Sequence, residues 1–296
     1  MSLRDLPAIT PPQALAIRAD GDEKGIEFDL RPDALERWNA GVRAAADPGA
    51  NVITMYEPIG EDPWTGGGVT SKRVSAQLAA IGADQPVEVL INSPGGSFFE
   101  GLTIYNLLRM HKAPVAVKVM GLAASAASVI AMAGDTIAVP QAGFLMIHNA
   151  WGVAVGNRHD LRAAAETLEP FDLAMAEIYA SQGETTVAKA AKWMDAETWF
   201  NGSAAIEAGL ADELLAPELV TEDPKAAAAG NAIKAVRQID SALARQNVPR
   251  AQRRRLLASL KGGTPGAAAI TPAATHDAGD PVFGEMLRTL AILKSR

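Results

Sequence analysis

The sequence contains no cysteine, which excludes disulfides, thiolate metal centres and a cysteine nucleophile. Aromatic residues are scarce at 5%, too few for the stacking platforms that hold single-stranded nucleic acid. Only four histidines occur in 296 residues, so each can be weighed as a proton acceptor in turn. No apolar run is long enough to span a bilayer, and MSLRDLPAITPP lacks the pattern of a secretory leader. A cytoplasmic protein without a membrane contact is expected. Acidic residues (34) outnumber basic ones (27), and the formal charge of −7 argues against nucleic acid as the main partner. No cofactor-binding or metal-ligating pattern is read from the chain, and neither is expected.

What is present is apolar material, 48% of residues, arranged as alternating strands and helices. Residues 1–50 form an N-terminal extension with a possible strand over Ile26–Leu30 and one helix over Pro32–Ala46. No functional reading attaches to this stretch. Strands are expected over Asn51–Tyr56, Val87–Ile91, Val115–Val119, Thr136–Val139 and Phe144–Ile147. Helices are expected from a Thr70 or Ser71 cap to Gly82, over Phe99–Arg109, and over Asp160–Ser181 with a kink or break at Pro170. Two shorter ones follow, over Thr185–Trp193 and from Asn201 or Ser203 to Gly209. Strand–helix alternation of this kind gives an α/β fold with right-handed crossovers. The domain spans 51–221. Beyond it, 222–296 reads as an Ala/Arg-rich tail with linker composition at Pro224–Gly230 and in GGTPGAAAITPAATHDAGDP. Helices are expected there over Asn231–Arg245 and Arg250–Lys261, with a last amphipathic segment over Phe283–Leu293.

Three short segments carry chemistry. In GLAASAASVIAMAGD, Gly121 permits a sharp turn after a strand, and Ala123, Ala124, Ala126 and Ala127 suit a tightly packed helix. Ser125 then stands at the helix head beside free backbone N–H groups, where an acyl-transfer nucleophile is useful. On its own such a run is more often close packing. In INSPGG, Gly95 and Gly96 follow a strand and let N–H groups face a ligand without an intervening Cβ. In MIHNA, His148 ends a strand, whereas His111 and His159 sit at surface positions and His276 lies in the tail. His148 is therefore the best general base. Ser125 as nucleophile, His148 as base and N–H groups near Gly96 and Ala126 meet the minimum for acyl transfer. Ser128 is a weaker nucleophile candidate one turn inside the helix, and Ser93 and Ser97 suit local hydrogen bonds in the glycine turn. The spacing does not match the G-x-S-x-G elbow of α/β-hydrolases.

INSPGG, GLxIYNxL, GLAASAASVIAMAGD, LMIHNAWG and FxxxxAxExGLADE, in that order, resemble the Clp-type caseinolytic proteases, and within them the phage and prophage head maturation branch. The resemblance covers about residues 50–215. It implies the ClpP/crotonase spiral of βαβ units with a protruding handle helix, which by position is Asp160–Ser181. It also implies a homo-oligomeric ring, commonly one or two heptamers, that encloses the sites and cleaves proteins or peptides. For the phage branch those are capsid or scaffold chains. Residue by residue, Ser125 matches the family nucleophile, His148 the base, and Gly96 with the Ala126 N–H the oxyanion hole. The family's third member is an aspartate. Its position falls on Glu197 here, with Asp195 or Thr198 as alternatives if the register slips. Glutamate keeps the charge that orients an imidazole.

Two further departures bear on partners. The first fifty residues do not resemble the axial loop by which housekeeping members dock an AAA+ unfoldase, so dependence on one is not implied. The cluster Arg250, Arg253, Arg254 and Arg255 reads as a solvated helix face or as a contact for anionic capsid or DNA surfaces. Two other functions stay open at this stage: a catalytically weak assembly or scaffolding ring, and a crotonase-like acyl-CoA enzyme.

Overall fold

Short β-branched runs punctuated by Gly, Pro and capping residues set the element order, and a computed structural model describes residues 27–28, 30–62, 67–154, 156–246 and 248–262. In chain order the elements are β1 (Glu27–Phe28), α1 (Pro32–Arg37), β2 (Val42–Ala44), β3 (Val52–Met55), α2 (Ser71–Ile81), β4 (Val87–Ser93) and α3 (Phe98–Arg109). Then come β5 (Val115–Ala124), α4 (Ala126–Ala131), β6 (Thr136–Pro140), β7 (Phe144–Ile147), β8 (Gly152–Val153), α5 (Arg158–Gln182) and α6 (Val187–Asp195). The last are β9 (Thr198–Asn201), α7 (Gly202–Glu207), β10 (Glu213–Leu215), β11 (Val220–Glu222), α8 (Pro224–Arg245) and α9 (Arg250–Gly262).

The main sheet is parallel in the order β3-β4-β5-β6-β10. Its central strand β5 has two partners along one side. Residues 116–118 pair with β6, and residues 122–124 pair in parallel with β7. Strand β9 closes antiparallel on β7. Parallel pairs need crossover connections, and α2, α3 and α4 supply them. The strands are buried on both faces, as in β4, where six of seven residues are inaccessible, which explains their continuous apolar runs. The result is an α/β fold with a parallel sheet, consistent with the ClpP/crotonase fold.

Several helix boundaries follow local chemistry. Thr70 caps α2 by accepting from Arg73 N at 3.2 Å, and Gly82 ends it at φ 95°. Asn201 caps α7, and Gly209 turns the chain after it at φ 74°. Helix α5 begins at a capping box between Asn157 and Asp160, and it runs through Pro170 as one assigned helix rather than two. Proline removes a single ladder hydrogen bond, whereas Phe171, Met175, Ile178 and Tyr179 anchor the following turns in the core.

Several expectations are corrected. Residues 38–46 are not a continuation of α1. The chain leaves the helix at Trp38, whose indole N–H donates to Asn92 O at 2.9 Å, and Asn92 Nδ2 holds Asn39 O (2.7 Å) and Val42 O (2.8 Å). These fixed points favour β2, which pairs with β11. Gly121 makes no turn, since it lies inside β5. A Cβ there would stand 2.9 Å from Val42 Cγ1, so the glycine admits β2 against the sheet, and Ala123 and Ala124 are strand residues. Pro224–Gly230 is not linker but the start of α8, capped by Asp223 with proline in the first turn. Alanine is the best helix former and proline is tolerated at that position.

Helix α8 packs on the N-terminal segment. A Cβ on Gly230 would lie 2.2 Å from Ala40 Cβ, Lys234 Nζ donates to Glu36 O at 3.0 Å, and Arg237 stands 3.7 Å from buried Asp62. Gly230→Val should therefore lift α8 off Ala40 and cost about 1–3 kcal/mol, read as a lower urea midpoint. In the basic cluster, Arg253 is no surface charge. It is buried, with Nε 2.9 Å from Asp240 Oδ1 and Nη1 2.9 Å from Val248 O. His276, Phe283–Leu293 and the GGTPGAAAITPAATHDAGDP segment after its first glycine lie outside the described residues.

Candidate active site

Strand β5 ends at Ala124 and α4 begins at Ala126, so a single residue must reverse the chain. That residue is Ser125, at φ 55° and ψ −126°. A side chain other than glycine is strained there by about 1–3 kcal/mol. The surroundings over-determine it. Ser125 N donates to Met146 O at 2.9 Å, and Ser125 O accepts from Ser128 N (2.9 Å) and Val129 N (3.2 Å). Ser128 Oγ adds a brace, 2.7 Å from Ser125 O, 3.0 Å from Met146 O and 2.8 Å from Tyr179 Oη. Its one proton serves a carbonyl while the phenol donates to it. Ser128 is thus a fully buried structural hydroxyl. Burial also pushes the Tyr179 phenol well above its usual range, so it stays a neutral donor.

The glycine turn fits against this point. Gly95 and Gly96 have φ 89° and 149°. A Cβ on Gly95 would lie 2.7 Å from Ser125 Cβ, and one on Gly96 2.1 Å from Ile59 O. Ile59 N donates to Gly95 O (2.8 Å) and Ser97 N donates to Ile59 O (2.9 Å). These bonds bracket Gly96, whose own N–H takes no part in them. Ser93 and Ser97 make the local bonds expected of them: Ser93 Oγ donates to Glu57 O and accepts from Gly95 N, and Ser97 Oγ caps α3. At the other side, Ala126 opens α4, where a first-turn N–H has no helical acceptor. The helix is only six residues long, so local N–H groups rather than a long macrodipole define the field.

His148 follows β7 and is 6% exposed. Its Nε2 has no hydrogen-bond partner among the described residues. Burial, and then the Arg31 cation, push the imidazole down to about 4, against smaller opposing effects of the Asn149 backbone and Asp33. Gly96, Ser125, Ala126 and His148 all line one cavity, with Phe98, Trp151 and Met175 as its apolar wall.

The third-member candidates each engage another group. Glu197 has φ 48° and its carboxylate pairs with the Arg31 guanidinium. Asp195 accepts from Asn149 Nδ2 at 2.8 Å, and Thr198 Oγ1 donates to Trp193 O at 2.7 Å. None of the three hydrogen-bonds to His148 among the described residues. Two charged groups that do act on His148, Arg31 and Asp33, come from the stretch given no functional reading. Only Pro32 at the start of a helix hints at them, by placing Arg31 at a cap. Asp172 of α5 accepts from Ala150 N at 2.5 Å, and burial raises its carboxyl. No group of three or more His, Cys, Asp or Glu placed to hold a metal occurs among the described residues. No helix among them is long and apolar enough to cross a membrane.

The His148 shift has a stability consequence. The unfolded imidazole binds a proton near pH 6.5 and the folded one only near 4. The unfolded state therefore binds more protons between those values, and stability falls as pH drops through that window. At about 1.4 kcal/mol per pKa unit, the loss should approach 3 kcal/mol by pH 4 and then level off. Urea titrations from pH 8 to 4 should show it, and His148→Gln should flatten the curve.

A strained serine between a parallel strand and a buried helix, sharing a cavity with a neutral histidine and a glycine turn, has the make-up of a serine hydrolase site. Comparison with known proteins narrows the class. The family model described as Clp protease matches residues 67–218, just over half of the chain. The ATP-dependent Clp protease proteolytic subunit 1 of Streptomyces coelicolor is 30% identical over 173 residues, covering 57% of this chain and 75% of that protein. The proteolytic subunit of Bacteroides fragilis is 32% identical over 152 residues (49% and 73%). Subunit 2 of Treponema denticola is 31% identical over 150 residues (49% and 74%). The chain belongs to the Clp protease family and is a serine-type peptidase.

Proposed function

We propose that this chain is an endopeptidase acting on protein substrates, with Ser125 as nucleophile. Ser125 Oγ attacks the scissile carbonyl and its proton passes to His148 Nε2. The N–H groups of Gly96 and Ala126 receive the oxyanion. Collapse of the tetrahedral intermediate expels the amine, which takes the proton from His148, and water then hydrolyses the acyl-enzyme. The single observation that carries this reading is the Ser125 conformation, held under strain in the wall of a cavity that His148 also lines. Glu197 is the third member in this reading.

The finer reading follows the motif resemblance. The chain assembles as a homo-oligomeric ring, a heptamer or double heptamer, and processes capsid or scaffold chains in the cytoplasm of a host cell without an AAA+ unfoldase. The relatives are named as subunits, which agrees with assembly. A second reading, a catalytically weak assembly ring, draws on the engagement of Glu197 by Arg31. Co-expression with the capsid protein, wild type against Ser125→Ala, followed by intact mass, tests both. Processing lost in the variant supports the peptidase, whereas processing retained in Ser125→Ala refutes it.

A further inference from the structure

The charges around His148 do not form the arrangement a triad needs. Arg31 Nε is 3.1 Å from Asp33 Oδ1, and the same guanidinium pairs with Glu197. Its carbon lies 5.9 Å from the ring centre of Trp151, which walls the cavity. Around these groups, Asp172 of α5 accepts from Ala150 N and Asp195 of α6 accepts from Asn149. The carboxylate in the triad position is thus neutralised by an arginine, and the Arg31 cation acts on the histidine more strongly than the Asp33 anion does. Both features weaken a general base.

We propose that Arg31 is a positioning residue that latches Glu197 away from His148, so that transfer of the Glu197 carboxylate from Arg31 to the His148 ring switches the site on. The inference rests on the peptidase reading above. Three observations carry it. The Glu197 side chain is 42% exposed and that of Arg31 18%, so solvent reaches and screens the carboxylate end of the pair, the end that must exchange. Asp33 stays on Arg31 when Glu197 leaves, so the guanidinium is never left unpaired. Ile147 pairs with Thr198 across β7 and β9, so Glu197 stands next to His148 in the register.

The test is the rate at which a fluorophosphonate acylates Ser125 in the full-length protein, followed by intact mass from pH 4 to 9. Arg31→Met frees Glu197 and removes a cation beside His148. Both changes raise the imidazole pKa, so the acid limb should move to higher pH. The plateau rate should rise about tenfold as the base gains its anion. Arg31→Lys keeps the charge and should stay near wild type. In Arg31→Met/Glu197→Gln the plateau gain should shrink to the smaller part that loss of the cation alone supplies. Asp33→Asn leaves Arg31 with Glu197 alone, tightens the latch and should slow acylation several-fold; it serves also if Arg31→Met does not fold. A plateau in Arg31→Met at or below wild type, a gain that survives Glu197→Gln undiminished, or an Asp33→Asn rate equal to or above wild type overturns the latch alone. Failure of the wild-type protein to label at Ser125 overturns the peptidase reading and the latch together.

Discussion

Ser125→Ala is expected to lower peptide hydrolysis by about 10⁴–10⁶-fold, the range seen when a serine-protease nucleophile is removed. No neighbouring hydroxyl can substitute. Ser128 is buried and bonded to Ser125 O, Met146 O and Tyr179. Ser93 is tied to Glu57 O, and Ser97 caps α3. The fold should hardly notice the change, because the conserving contacts at this position are made by backbone groups. Ser125→Gly provides a sharper contrast. Glycine tolerates φ 55° without a Cβ penalty, so this variant should be more stable by up to about 1–3 kcal/mol while equally inactive. Parallel urea titrations and turnover assays separate the two effects. A variant that loses both stability and activity would mean that the side chain, rather than the strained backbone, organises the turn.

Gly96→Ala should be nearly as damaging, for a different reason. The added Cβ would lie 2.1 Å from Ile59 O and 2.9 Å from Ile59 N, both backbone atoms that cannot rotate away. The turn must move, and with it the N–H assigned to the oxyanion. Loss of one oxyanion donor typically costs about 10²–10³ in turnover, and we expect at least that in kcat with a smaller change in KM. Gly95→Ala should behave alike, because its Cβ would meet Ala124 O at 2.6 Å and Ser125 Cβ at 2.7 Å. Gly82→Ala is the control. It shares a positive φ of 95° but meets nothing within 4 Å. It should lose about 1–3 kcal/mol of stability and keep full activity.

Elements specified by neighbours in sequence were legible before the structure. The β4 and β5 runs, the Thr70 cap and the INSPGG turn all announce themselves through local chemistry. His148 stood out because histidines are few and it ends a strand. Misreadings arose where a residue answers to something distant. Gly121 suits a turn as well as a strand, and only the approach of Val42 decides between them. Trp38 leaves α1 for a bond to Asn92, 54 residues away. Arg31 meets Glu197 across 166 residues, a pairing no spacing argument reaches. Pro224–Gly230 is a different case. Its alanines and N-terminal proline are helix signals that compositional likeness to a linker obscured.

Segments on either side of the family-matching region clasp one another. β2 and β11 pair antiparallel, Gly230 sits on Ala40, and Ala227 closes on Gly41. Residues 30–44 in turn carry Arg31 and Trp38, which reach Glu197 and the strand leading into the glycine turn. The two flanks are therefore one module in physical terms, although the catalytic core separates them in sequence. Neither could be acquired, shed or exchanged between relatives alone without leaving the other with a bare face, and an evolutionary change in one is expected to be answered in the other.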